Sequence, residues 1–235
     1  MRRVYSSALA FAAVMLVPAM SLAQGMGDSV RAVAGGGVLV AGWRGTVDPT
    51  EASRGQVLNN AKLASQGAGL RVTTGPAVTY WNPSNRATGD YTVKATFTEE
   101  NFMGLNDHAH PYGIVIAGND MGTPTENYLY CAAYGNGGYI VRGFGPAAFQ
   151  MSGRRATPHE AVKKAAGKGS SVTQEIAMSV KGDKVECAIN GTVVASYPKA
   201  ELVTAGKLKS TDGVYGIRFG HNTDAVVTGL TVTKP

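Results

Sequence analysis

The chain has 235 residues, with 22 lysines and arginines against 16 aspartates and glutamates, for a net charge of +6. That mild excess is too small to argue for nucleic acid, whose binding needs a dense phosphate-tracking patch. Charged residues make up only 16% of the chain and there are 31 glycines, which fits many short strands joined by tight turns. A chain of this length can form one sandwich domain burying roughly 70% of its unfolded surface.

The opening "MRRVYSSALAFAAVMLVPAMSLAQG" sets Arg2 and Arg3 before an apolar run and ends it with small residues before Gln24. Residues 1–23 therefore read as a secretory signal cut near Ala23, of bacterial style, which places the mature protein in the periplasm or the medium. No later stretch reaches about 18 apolar residues, so no stable membrane anchor is expected. Residues 24–37 read as a flexible segment, and 38–235 as a single domain.

A first strand is expected around Val38–Trp43. "DPTEAS" then starts a helical turn, with Asp48 as N-cap, Pro49 at the first position and Glu51 at the capping-box position. "QVLNNAKLASQGAGLRVTTG" alternates on both sides of a Gly-Ala-Gly turn, as a hairpin does. "GDYTVKATFTEE" puts Tyr91, Val93, Ala95 and Phe97 on one face and polar residues on the other, the pattern of a half-buried antiparallel strand.

In "NYLYCAAYGNGGYIVRGF" a three-residue loop Asn136-Gly137-Gly138, with Gly138 left-handed, gathers Leu129, Cys131, Ala133, Tyr139 and Val141 on a core face. Tyr128, Tyr130, Tyr134, Ile140, Arg142 and Phe144 then share the opposite face. Residues 150–170 break the pattern, with a short helical stretch from Pro158 to about Ala166 inside a basic run from Arg154 to Lys168. Strands follow at 172–181, 184–189 and 192–197, the last two joined by Asn190-Gly191, and two more close the chain. The string of strands predicts an all-β fold: a two-sheet antiparallel jelly-roll sandwich with one or two short helices.

Four groups of residues carry candidate chemistry. His108 and His110, two apart, point the same way if extended and can share a metal with Asp107 or Asp120, contact a ligand at a rim, or form a plain turn before Pro111. Trp81, Tyr130, Tyr134 and Arg142 suit a sugar-binding surface, since aromatic faces stack on pyranose C–H groups and a cation fixes hydroxyls; the plainer reading is sheet packing. The basic run suits an anionic glycan or a solvated loop. Cys131 and Cys187 both sit on inward faces and can form a disulfide if neighbouring strands or a local pinch brings them together. No cofactor is expected, although a structural calcium held by loop oxygens leaves little sequence signature.

The segments "VTYWNPSNRATGDYTVKATFTEE", "PYGIVIAGND", "NYLYCAAYGNGGYIVRGF", "VECAINGTVVASY" and "GVYGIRFGHNTDAVVTGLTV" follow an order that resembles the concanavalin A-like lectin/glucanase superfamily. Over residues 38–233 the chain is most similar to exported bacterial 3-keto-disaccharide hydrolase-like domains. The resemblance implies a two-sheet jelly roll with a saccharide or sugar derivative on the concave sheet or its rim. The E-x-D-x-x-E strand of laminarinase-type members, which supplies their paired carboxylates, is absent. Activity on a glycoside or 3-keto-disaccharide would then fall to other groups, such as Asp120 or Glu126 with His108 or His110. The remaining alternative is a cell-envelope interaction protein without catalysis. Oligomeric state has no signal in the sequence.

Overall fold

The protein is described from a computed structural model covering residues 30–235, so the expected signal, 1–23, and residues 24–29 lie outside the described residues. The strands in the first half are β1 (Gly37–Val38), β2 (Arg44–Val47), β3 (Ala61–Gln66), β4 (Gly69–Thr74), β5 (Val78–Ala87), β6 (Tyr91–Glu99) and β7 (Pro111–Asn119). The middle holds β8 (Asn127–Tyr134), β9 (Gly138–Phe144), β10 (Ala148–Gln150) and β11 (Thr157–Pro158). The last part holds β12 (Val172–Lys181), β13 (Lys184–Ile189), β14 (Thr192–Pro198), β15 (Gly213–Phe219) and β16 (Asp224–Thr233). Two four-residue helices, α1 (Pro49–Ala52) and α2 (Lys199–Leu202), and a 3-10 turn, Leu58–Asn60, complete the set. Among the described residues no helix is long and apolar enough to cross a membrane.

The strands form two sheets. One has the order β1-β3-β4-β16-β6-β12-β13-β14; the other runs β10-β9-β8-β7-β15-β5-β2, with β11 added against β9. Pairing is antiparallel apart from the short parallel contact of β1 with β3. The alternation in β6 does what its spacing predicts: Tyr91, Val93, Ala95 and Phe97 are buried between the sheets. Facing them are Tyr112, Ile114 and Ile116 of β7 and Ile217 and Phe219 of β15. Phe97 stacks on Tyr112 with ring centroids 5.6 Å apart and meets Phe219 at 6.0 Å. Each such side chain, taken fully out of water, stabilises the fold by roughly 1.5–3 kcal/mol.

Cys131 of β8 and Cys187 of β13 are joined in a disulfide that crosses from one sheet to the other. Their Cα atoms are 6.1 Å apart, well inside the usual ~10 Å sheet spacing, so the sandwich is pinched at this point. The Asn190-Gly191 turn also forms as expected, with φ of 51° and 83° directly linking Ile189 to its partner Thr192.

Four local expectations are corrected. The first strand is not continuous from Val38 to Trp43: a left-handed Gly42, φ 78°, separates β1 from β2, which belong to different sheets. Residues 30–37 are not a loose leader, since the Arg31 N–H donates to Asn222 Oδ1 and Gly36 lies where a Cβ would strike the Asn59 carbonyl. The β8–β9 loop is Gly135-Asn136-Gly137, with Gly137 left-handed at φ 94°, one residue earlier than expected; the two faces are unchanged because the pairing shifts by an even step. No helix forms between Pro158 and Ala166; that segment pairs through β11 and a bridge from Asn136 to Lys164. Its hydrogen-bonding groups find partners on β9 and the adjoining loop, which overrides a weak helical propensity.

Candidate functional site

Register carries one row of side chains across the outward face of the second sheet. Arg44 pairs with Trp81, Trp81 with Gly216, Gly216 with Val115, Val115 with Tyr130, Tyr130 with Arg142, and Arg142 with Gln150. At the β8–β9–β10 end of this row a pocket of about 250 Å³ opens between Tyr130, Arg142, Phe144, Phe149 and Gln150, with Asp48 and Arg218 also contributing. Arg142 donates from Nη2 to the Arg154 carbonyl at 2.8 Å, while its buried Nε has no hydrogen-bond partner.

Beside this pocket lies an ion pair that neither local sequence nor spacing announces. Arg218, the lone cation in the buried strand β15, is 7% exposed and makes a two-pronged contact with Asp48 at 2.6 and 2.5 Å. The same guanidinium donates to Thr79 Oγ1 at 3.0 Å and Tyr128 Oη at 3.3 Å. It also lies 4.6 Å from the Tyr130 ring centroid and 5.2 Å from that of Phe144. Burial opposes its charge, and Asp48 more than offsets that, so Arg218 stays protonated. Asp48 precedes α1 but caps nothing with its side chain, and Glu51 in α1 reaches instead to the Ala77 N–H at 3.0 Å. The apparent capping box is thus used for tertiary contacts.

The sugar-surface residues expected from sequence separate into two groups. Tyr130 and Arg142 line the pocket. Tyr134 stands on the same face and is half-buried in the cluster around Tyr128, Tyr130 and Ile140, where Ala156 of the basic segment packs. Trp81 is only 3% exposed: Gly122, in the loop after β7, lies over its ring, so it presents no open aromatic face. Burial of this kind fits the sheet-packing reading for Trp81, and Tyr130, 5% exposed, shows the pocket little more than an edge.

The suggested acid–base pairings do not assemble. His110 stands just before β7 and Asp120 just after it, roughly 30 Å apart at about 3.3 Å per residue. Asp120 is instead paired with Lys209, which holds its carboxyl below the usual range. Glu126 Oε2 accepts the Gly122 N–H at 2.8 Å, and burial pushes its pKa up. A larger depression of about 570 Å³ lies near these residues, between Pro124, Pro146, Val203 and Leu208, but its lining has no aromatic ring, acid or histidine.

His108 and His110 gain a partner that the sequence did not suggest. His221, just after β15, brings its ring to 3.9 Å from that of His110, which is 4.5 Å from His108. The three offer nitrogens that all lie within 4.8 Å of one another, and among the described residues this is the group arranged to hold a metal. The β7–β15 ladder explains the meeting: Phe219 pairs with Tyr112, and the Gly220 N–H donates to the Pro111 carbonyl at 2.7 Å.

No protein-family model matches the sequence, and no curated protein sequence is significantly similar to it. Solved structures do share its architecture. The carbohydrate-binding module CBM66 from Bacillus subtilis aligns at TM-score 0.54 with 12% identity, covering 84% of this chain and 99% of that one. The endo-beta-1,3-glucanase from Pyrococcus furiosus aligns at 0.54 with 13% identity, over 86% and 91%. A Bacillus subtilis protein of unknown function with a galectin-like fold aligns at 0.53 with 12% identity, over 82% and 89%. The fold is thus the concanavalin A-like, galectin-like jelly roll; at these identities the likeness concerns the fold alone.

Proposed function

We propose that this protein binds a saccharide in the Tyr130–Arg142 pocket, as an exported protein freed of residues 1–23. The observation that carries the reading is Arg142: a cation at the pocket wall with a buried, unpartnered Nε, beside the rings of Tyr130, Phe144 and Phe149. A buried donor without an acceptor costs about 1–3 kcal/mol, so the Arg142 side chain gains by turning Nε towards a ligand oxygen once one enters the pocket. Phe144 and Phe149, the part-exposed rings, suit the C–H side of a pyranose, Tyr130, 5% exposed beneath Arg218, forms the wall behind them, and Gln150 and Asp48 suit its hydroxyls. At about 250 Å³ the pocket is smaller than the usual ~300–1,000 Å³ for drug-sized ligands, favouring a terminal sugar unit over an extended chain. The shared fold of a carbohydrate-binding module and a glucanase supports the class of ligand. The disulfide supports an oxidising compartment, in keeping with the signal-like start.

The test is thermal unfolding over a panel of neutral and acidic oligosaccharides, comparing the native protein with Arg142→Met. A sugar at about 100 times its dissociation constant adds roughly 2.7 kcal/mol. The native protein should shift with at least one sugar, and Arg142→Met should lose that shift while its ligand-free form still unfolds in one cooperative transition. A variant that binds as well as the native protein, or a panel with no response, would reject the pocket and favour a protein-partner role in the envelope.

A further inference from the structure

The histidine cluster is independent of the sugar pocket in its residues and in its chemistry. We propose that His108, His110 and His221 form a binding site for a divalent transition metal ion, zinc in the first place.

Three observations carry this. The first is convergence: two imidazoles come from the segment leading into β7 and one from the segment leaving β15, with their nitrogens within 4.8 Å. Nitrogens bound to one tetrahedral zinc at 2.0–2.1 Å are about 3.3 Å apart, so ring movements on the order of 1 Å complete the arrangement. The second is the backbone beneath them. A Cβ on Gly220 would stand 2.7 Å from Pro111 Cδ and 3.2 Å from His110 Cβ, so glycine is what allows the two segments to close.

The third is the carboxylates behind the rings. Glu51 Oε1 lies 3.5 Å from His221 Nδ1, and Asp107 Oδ1 lies 2.8 Å from His108 Nδ1. Carboxylates set beside ligating histidines in this way orient the rings and raise their basicity, the role outer carboxylates play at metal sites. Glu51 is itself fixed, its other oxygen accepting the Ala77 N–H. Imidazole nitrogens select zinc, copper or nickel and not calcium, which takes oxygen ligands. Three histidines supply three of zinc's four positions. Arg218 and His221 are three residues apart, so the site stands about 10 Å along the strand from the pocket's ion pair, at the rim of the same sheet.

The experiment uses the full chain freed of any histidine tag, stripped with chelator and titrated with Zn²⁺ by calorimetry, with Co²⁺ as a spectroscopic probe. One equivalent of zinc should bind with submicromolar affinity, and cobalt should give visible bands of nitrogen-ligated, low-coordinate metal. His110→Gln and His221→Gln should each weaken zinc at least 100-fold, and Glu51→Gln, which removes an outer carboxylate, 10- to 100-fold. Unfolding in chelator, equal for native and variant proteins, shows that the folds are intact; where a variant fails it, the native cobalt spectrum decides. Zinc binding weaker than about 10 μM, or affinity unchanged in both histidine variants, would overturn the proposal. A response to calcium and none to zinc would do the same. Sugar binding can fail in every arm without affecting any of these outcomes.

Discussion

Replacing Asp48 with asparagine tests the ion pair at the pocket. The amide keeps the size of the carboxylate and one acceptor oxygen, but leaves the Arg218 charge without its counter-charge in a site where the arginine side chain is 8% and the aspartate side chain 18% exposed. Breaking a buried pair from one side typically costs about 3–5 kcal/mol. Here Thr79 Oγ1, Tyr128 Oη and the Tyr130 and Phe144 rings remain on Arg218, so the lower end, about 3 kcal/mol, is expected. For a domain of this size that is a fall in Tm of about 6–12 °C. Urea unfolding of Asp48→Asn, Arg218→Met and the double variant measures the coupling directly. The double variant should be more stable than Asp48→Asn alone, because no buried charge is left. A loss under 1 kcal/mol in Asp48→Asn, or a coupling near zero, would refute the claim that Asp48 compensates Arg218.

Burial pushes Glu99 up to about 7, against the Met103 N–H that it accepts and with Asp224 adding to the rise. Between its ordinary 4.5 and about 7 the folded protein keeps a proton that the unfolded chain releases, so stability falls as pH rises through that window. At about 1.4 kcal/mol for each pH unit of the window, Glu99→Gln should gain up to roughly 3 kcal/mol on the native protein at pH 8 and nothing at pH 4; an equal difference at both would refute it. The disulfide spans a sequence separation of 56, so converting both cysteines to alanine should cost about 4 kcal/mol in chemical unfolding, and a cost under 1 kcal/mol would show that the sheets are held without it.

The fold was legible wherever alternation persisted. The two faces of β6, and those of β8 and β9, follow from period-two spacing that a register shift of two residues cannot disturb. Tyr130 and Arg142 were readable for the same reason: they face outward on neighbouring strands. Trp81 was misleading because its row was right and its cover was not; what buries it is the loop around Gly122, which has no periodic signal. Asp48 and Glu51 were hidden by a familiar pattern, since aspartate before Pro-Thr-Glu reads locally as a helix start while both carboxylates answer to residues about 170 positions away. Arg218 did leave a trace, as one cation in the apolar run "GVYGIRFG". His221 left none, because its meeting with His110 depends on which strands are neighbours.

The bond between Cys131 and Cys187 also divides the chain topologically. It closes a ring holding β9 to β12 and the whole basic segment with Arg154, Arg155, Lys163, Lys164 and Lys168. A protease that cuts after any of these cations opens the ring without parting the molecule: the two pieces stay tethered through the sulfur bridge, and each still contributes strands to both sheets. Nicked protein would therefore run as a single species until a reductant is added, and until then β8, which carries Tyr130 on its outer side and Cys131 on its inner side, would remain fastened to the opposite sheet.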